Sequence, residues 1–426
     1  MNKGRKTVLN SMIRQIHCVV VSLLCGVAVS TACAESPIRP GDRIAIVGNT
    51  FADQLRIHGY LETMLLQQWP DNPVAIRNLG WGGDMLNARD RPTNFPNEEE
   101  TLTAHRTDVI IACFGMGESF AGEDGVQSFQ AAVDAFIKSL EGKQYNGKSQ
   151  VRLILVSPIA NEPLGKLTPR HEQRNSELSA YSQAMSEVAI AAEVPFIDLY
   201  QTSRYLIDER VGPNFTTNGI HLNPYGYWAV SHYLFRDLVQ DDLASVQPPW
   251  RISVDAADLT VQAHGIDVSD TARTEAGLTF RATELIAPTL PPPTDEDVPP
   301  QLHHFRDSMT IANLPPGTYE LAIDDVSVAT ANHDEWARGI IIDTSPAHQA
   351  AEALRRAVND KNLQFTYSWK ALNQVHIVGE RKKSPSGRAL PAEVIEFNRL
   401  AEKRDANLRD AIQRETRNWR VSRIEL

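Results

Sequence analysis

The sequence predicts an α/β protein: a three-layer fold around a five-stranded parallel sheet, followed by a β-rich region and then a mixed segment that ends in helix. Two observations carry this expectation. From Arg43 to about residue 240, short apolar runs alternate with longer segments of helical period, as expected for strands buried on both faces and joined by crossover helices. Pro248-Pro249 then breaks the rhythm and shorter alternating runs follow, the pattern of strands with one face on a core.

Five runs read as strands: Arg43 to Val47, Pro73 to Asn78, Asp108 to Phe114, Val151 to Ser157 and Pro195 to Leu199. Each is apolar and nearly continuous, unlike the alternation of a half-exposed strand. Between them, Ile57, Tyr60, Leu61, Met64 and Leu65 share one helical face. Phe129, Val133, Phe136, Ile137 and Leu140 share a second, and Leu178, Tyr181, Met185 and Val188 a third. Asn223-Pro224 pairs an N-cap residue with proline at the first helical position, so a last helix starts there. Farther on, Leu259/Val261 and Leu278/Phe280 mark short strands, and the turn at Leu314-Pro315-Pro316-Gly317 feeds an antiparallel strand through Tyr319, Leu321 and Ile323. Residues 288 to 300 hold six prolines with Asp295, Glu296 and Asp297, an extended acidic loop. A helix near Ala347 to Val358, a β segment with a polar face within Phe365 to Val378, the basic loop Arg381-Lys382-Lys383 and a charged amphipathic helix from about Pro391 to Glu415 complete the chain.

The first 34 residues hold Lys3, Arg5, Lys6 and Arg14, an apolar run from Cys18 to Val29 and then Ala32-Cys33-Ala34. This is the layout of a secretory signal peptide, so the protein is expected to be exported, periplasmic or secreted. Lipid attachment at Cys33 is the lesser alternative. Four of the 42 basic residues and none of the 53 acidic ones lie in this leader, so the other 392 residues carry a net charge of −15. Such a surface repels phosphate polyanions and anionic lipid heads, which argues against nucleic-acid and membrane-surface partners, and no membrane span is expected after processing. Of the four cysteines only Cys113 follows the leader, which excludes an internal disulfide and a thiolate zinc cluster. The domain expectation is a leader at 1–34, an α/β domain at 39–245, a β-rich domain at 250–345 and a mixed segment at 346–426.

Some strings match chemistry only on paper. Gly142 to Ser149 fits the P-loop pattern, but a P-loop leaves a strand and opens a helix, and here a helix precedes and a strand follows. His171-Glu172 lacks the second histidine of a zinc peptidase. His303-His304 is adjacent rather than at helical ligand spacing. No metal and no cofactor is called for.

An open parallel sheet places its chemistry at the carboxyl ends of its strands. There lie Gly48-Asn49-Thr50 after the first strand, Gly80-Trp81-Gly82-Gly83-Asp84 after the second, Gly115-Met116-Gly117-Glu118 after the third and Asn218-Gly219-Ile220-His221 after the fifth. In order and spacing these resemble the four sequence blocks of the SGNH (GDSL-type) hydrolases, esterases and acyl hydrolases with a flavodoxin-like sheet. The resemblance covers roughly residues 40 to 240 and implies a nucleophile at Thr50, a general base at His221 with Asn218 orienting its ring, and an oxyanion hole at Thr50, Gly83 and Gly117. It departs from the family pattern in three blocks. Asn49-Thr50 replaces Asp-Ser, Gly117 replaces the oxyanion-hole Asn, and Asn218 replaces the Asp that orients the histidine.

Each departure has a chemical cost. A threonine hydroxyl can attack when a base takes its proton, though its methyl crowds the intermediate and the side chain could instead cap the next helix. An amide cannot stabilise an imidazolium, and the comparable change in serine proteases costs about 10⁴ in turnover. Losing one oxyanion donor costs about 10² to 10³. Asn49, Asp84 and Glu118 are candidates to support the site, and Trp369, Lys370, Asn373 and His376 are candidates to replace lost groups. The expectation is therefore an exported ester hydrolase, an acylhydrolase of SGNH type, with a Thr–His–Asn site. Its substrate would be a small-molecule or polysaccharide ester carrying a small acyl group, with Trp81 stacking on a sugar. The alternative is an inactive member serving as a glycan- or protein-binding module.

Overall fold

The computed structural model describes residues 36–89, 91, 97–209, 212–239, 249–293, 300–370, 383–412 and 414–424. The leader with Cys33, the acids of the proline-rich loop, Asn373, His376, Arg381 and Lys382 lie outside the described residues.

The first half is the expected parallel sheet. Its strands β1 (Arg43–Gly48), β2 (Ala75–Asn78), β3 (Val109–Cys113), β4 (Arg152–Val156) and β5 (Phe196–Ile197) run in the order β2-β1-β3-β4-β5, every neighbouring pair parallel. Alternate residues feed two cores, with Ile44, Ile46 and Ile111 on one face and Ala45, Val47 and Ile110 on the other. The single helix expected around Ile57 to Leu65 is two, α1 (Thr50–His58) and α2 (Tyr60–Gln68), because Gly59 adopts φ +69° and ends the first. Ile57, expected in the core, is exposed as a result. Next come α3 (Glu98–His105), α4 (Val126–Leu140), α5 (His171–Ala191), α6 (Leu199–Asp208) and α7 (Pro224–Leu238). The Asn223 side chain accepts from Gly226 N at 2.8 Å as the cap of α7. Gly142 to Ser149 links α4 to β4, with Asn146 accepting from the Lys148 and Ser149 amides, so it is a polar turn and not a phosphate loop.

The β-rich half contains two sheets. β6 (Arg251–Asp255), β7 (Val261–His264), β10 (Ser308–Ala312) and β13 (Ile340–Ile341) form one, ordered β13-β10-β6-β7. β8 (Ile266–Arg273), β9 (Gly277–Glu284), β11 (Thr318–Ile323), β12 (Val326–Asn332) and β14 (Thr416–Ile424) form the other, ordered β12-β11-β14-β9-β8. Leu259, read as part of a strand, lies at φ +65° in the turn before β7. Trp250, Ile252, Met309, Phe280, Leu321 and Trp419 share one core. The short helices α8 (Pro300–His303) and α9 (His333–Arg338) lie in its connections.

Two expectations for the C-terminal segment need correction. Phe365 to Lys370 is not a β segment, since Phe365 to Trp369 ends the 24-residue helix α10 (Pro346–Trp369) and Lys370 caps it. The chain also does not end in the charged helix. After α11 (Pro385–Ala411), β14 runs antiparallel between β11 and β9 and completes the β core with Trp419 and Val421.

α10 and α11 pack on each other and on the parallel-sheet half. Lys361 of α10, fully buried, donates to Glu62 of α2 and to the Ile76 carbonyl at 2.9 Å. Asn362 Nδ2 donates to the other Glu62 oxygen at 2.7 Å, and Arg77 of β2 pairs with Asp405 of α11 at 2.6 Å. A buried charge survives only with such partners, so these contacts hold the hairpin firmly to the sheet half.

Candidate active site

β1 approaches β3 so closely that a Cβ on Gly48 would sit 2.2 Å from the Cys113 carbonyl oxygen, and Gly48 has φ +138°. Only glycine fits. Asn49, not Thr50, caps α1: its Oδ1 accepts from Phe51 N at 3.0 Å. Thr50 is the first helical residue, and among the described residues no hydrogen bond holds its hydroxyl.

The second block is tied to the first. Trp81 N donates to the Gly48 carbonyl at 2.9 Å, and Asn78 bridges from Gly80 N to the Ala52 carbonyl. Gly83 has φ +89° and open space where its Cβ would be. Asp84 accepts both terminal nitrogens of Arg91, at 2.8 and 2.6 Å. Glu118 joins the second and third blocks, one oxygen taking Leu86 N and the other Gly115 N, each at 2.9 Å. Burial raises its pKa, and the backbone donors oppose that shift.

The fourth block does not follow β5 directly, because α6 intervenes. A residue not anticipated from the sequence holds it. Glu162, fully buried, accepts from Phe215 N, Thr216 N and Thr216 Oγ1, while its own N donates to the Gly219 carbonyl. Glu162 lies beyond the carboxyl end of β4, so the rule that located the first three blocks extends to it.

Thr50, Gly83, Gly117 and His221 line one cavity of about 160 Å³, together with Asn49 and Asp84. The rest of its wall is mainly apolar, with Phe51, Phe114, Met116, Phe120, Ile159 and Ile220. Cys113 also reaches it, with its thiol pushed up to about 12 by burial. Asn218 does not line this cavity. It sits behind His221, and both are exposed.

The hydrogen bonds of Asn218 decide its role. Its Oδ1 accepts the backbone N–H groups of Ile220 and His221, at 3.2 and 3.0 Å. Two donors on one oxygen fix which end of the amide is which, and the NH₂ end therefore faces His221 Nδ1 at 2.9 Å. An Nδ1 that accepts belongs to the tautomer with its proton on Nε2. In that state His221 offers a donor to the cavity and cannot take a proton from Thr50. Among the described residues no hydrogen bond joins Thr50 to His221.

The third departure also has a structural counterpart. Gly117 has right-handed helical angles that any residue adopts, but a Cβ there would lie 2.7 Å from Met85 Cγ. Met85 therefore fills space that a side chain at 117 would enter. The sequence offers no signal for that pairing, which is purely tertiary.

Of the proposed C-terminal contributors, Lys370 reaches this region without lining the cavity. Its ammonium pairs with Asp53 of α1 at 2.6 Å and lies 4.8 Å from the Trp81 ring centre. Arg91 sits over the same ring at 4.5 Å. Trp81 is already engaged by two cations and outside the cavity lining, which removes the basis for expecting it to stack on a sugar. Among the described residues, no set of three histidine, cysteine or acidic side chains could hold a metal ion.

Residues 41–229 match the GDSL-like Lipase/Acylhydrolase family. A comparison with curated proteins finds no match. Among solved structures, BT4096, a gut microbial diltiazem-metabolizing enzyme, is similar over 91% of this chain and 99% of its own, at 15% identity and a TM-score of 0.69; the shared fold thus extends through the C-terminal half. Axe2, an acetylxylan esterase from Geobacillus stearothermophilus, aligns over 47% of this chain and 96% of its own, at 14% identity and a TM-score of 0.38.

Proposed function

We propose, from the match of residues 41–229 to the GDSL-like lipase/acylhydrolase family, that the protein is an exported ester hydrolase of low intrinsic turnover, acting on esters of short apolar acids. The observation that carries this reading is the shared cavity of Thr50, Gly83, Gly117 and His221. Its apolar wall suits an acyl group, and 160 Å³ is below the roughly 300–1,000 Å³ of pockets for drug-sized ligands. The carbohydrate alcohol expected from the sequence now rests only on export and the family resemblance.

In this mechanism Thr50 Oγ1 attacks the ester carbonyl as its proton passes to His221 Nε2. The Thr50 and Gly83 amides stabilise the oxyanion. The alcohol leaves with the proton from His221, and water repeats the sequence on the threonyl ester. His221 must first carry its proton on Nδ1. Asn218 then has to rotate its amide so that Oδ1 accepts that proton, giving up the Ile220 and His221 amides. The rarity of that arrangement keeps turnover low.

The Asn218 amide and Met85 also favour a second reading, a binding module whose His221 donates from Nε2 to a ligand oxygen. Hydrolysis of p-nitrophenyl acetate and butyrate by the purified chain separates the two. Activity greater with butyrate and abolished by Thr50→Ala and by His221→Ala is expected of the enzyme. Activity that survives both substitutions refutes it, and no activity above buffer favours the binding module.

A further inference from the structure

Toward the C-terminal end of α7, away from the catalytic loop at its start and where the parallel-sheet half meets the β-rich half, lies a second cavity of about 300 Å³. Met64 of α2, Phe235 of α7, Pro249 and Phe305 give it apolar walls, the last three buried. Arg236, Arg251, His264 and His304 stand exposed around it, and among the described residues none that lines it is a carboxylate. For a chain whose composition is strongly acidic, that is a local reversal of sign.

The parts are pre-arranged. The His232 ring stacks on Phe305 at 5.0 Å and 14°, and an Arg251 terminal nitrogen donates to the His304 carbonyl at 3.1 Å. Arg236 is engaged with Asp237 at 2.8 Å, whereas Arg251 pairs with no acid among the described residues, so Arg251 supplies the charge for a ligand. His232 is 5% exposed and among the described residues its Nε2 has no hydrogen-bond partner. A buried polar atom left unmet costs free energy until a ligand atom reaches it. Burial also pushes the His232 pKa down to about 3, so the ring is neutral and able to share a hydrogen bond with a ligand without adding charge.

We propose that this cavity is a binding site for a small aromatic monocarboxylate. The carboxylate pairs with the Arg251 guanidinium, whose planar fork suits two oxygens, and the ring lies on the Phe235 and Phe305 walls. A neutral aromatic lacks the partner for Arg251, and a small aliphatic acid leaves the walls uncovered. Sites of this kind gather at domain junctions. The proposal is independent of the ester hydrolase reading, since none of these residues lines the catalytic cavity.

Isothermal titration calorimetry of the full chain with benzoate, benzyl alcohol and acetate tests it. Benzoate should bind saturably and the other two about tenfold or more weakly. Arg251→Met should weaken benzoate about tenfold or more, Arg251→Lys less, and His221→Ala not at all. Arg251 is exposed, so these substitutions spare the core. Absence of saturable benzoate binding, binding unchanged in Arg251→Met, or binding lost in His221→Ala overturns the proposal.

Discussion

Among the described residues stand two groupings of hydroxyl, imidazole and third partner, and the one with the better composition is the one that cannot catalyse. In the cleft, Thr50 and His221 share a cavity and Asn218 backs the histidine. In the core, Ser345 Oγ lies 2.7 Å from His348 Nδ1, and His348 Nε2 lies 3.2 Å from Asp307 Oδ2. The core grouping is a complete Ser–His–Asp set, yet Ser345, His348 and Asp307 are 2%, 3% and 1% exposed, and no ester reaches them. Their work is structural. Ser345 caps α10, while Asp307 also accepts the Trp250 and Thr289 amides at 2.9 and 2.6 Å, joining the helical hairpin to the β core. The cleft grouping has access but no carboxylate. Access and the direction of each proton, more than residue type, separate a candidate site from a brace.

The sharpest way to test that contrast is to give the cleft its carboxylate. Asn218→Asp should raise kcat/KM for p-nitrophenyl butyrate by about 10² to 10⁴. One oxygen of an aspartate can keep the Ile220 and His221 amides while the other accepts Nδ1–H, and an amide cannot do both. No gain from a folded variant would break the account of the cleft. Removing the carboxylate from the core has a different consequence. Asp307→Ala strands His348 and two buried amides and should lower unfolding free energy by about 3–5 kcal/mol in urea titrations. Turnover per folded molecule should be unchanged. Loss of turnover in a protein still fully folded would make the core grouping functional after all.

A smaller effect is expected at the oxyanion hole. Gly117→Asn alone should destabilise by about 1–3 kcal/mol through overpacking on Met85. Combined with Met85→Ala it should raise kcat about tenfold to a hundredfold by adding a donor. Equal kcat in the single and double variants would show that Met85 does not occupy the space in question. The effect that is smallest at neutral pH is on pH dependence, because it develops only as the solution is acidified. His232 has its pKa pushed from the usual 6.5 down to about 3 by burial, so below pH 6.5 the unfolded chain takes up a proton that the native protein refuses. Stability should therefore fall by about 1.4 kcal/mol per pH unit from this residue as pH drops toward 3. His232→Phe should flatten that part of the acid limb, and an unchanged slope would contradict the assignment.

Local chemistry made much of this legible in the sequence. Apolar runs located the five parallel strands, Asn223-Pro224 marked the start of α7, and the glycine-containing turns at strand ends marked three of the four site segments correctly relative to the sheet. What stayed hidden depends on distant partners. Nothing around Lys361 in the sequence signals the Glu62 that the fold places beside it. Met85 and Gly117 are unremarkable apart and complementary together. The strand β14 does alternate, with Trp419 and Val421 inward, but it follows a long helix and pairs with β9, more than a hundred residues away. The Asn218 substitution was visible at once, whereas the direction of its amide was set by two backbone N–H groups that only the folded loop brings together.

The central claim, that this amide holds the proton on the wrong nitrogen of His221, can be measured directly by ¹⁵N NMR of the histidine ring near neutral pH. The wild-type chain should show the proton on Nε2, with Asn218→Asp shifting it to Nδ1. A wild-type ring already protonated on Nδ1 would contradict the claim and leave the departures at Thr50 and Gly117 to account for any weakness in turnover.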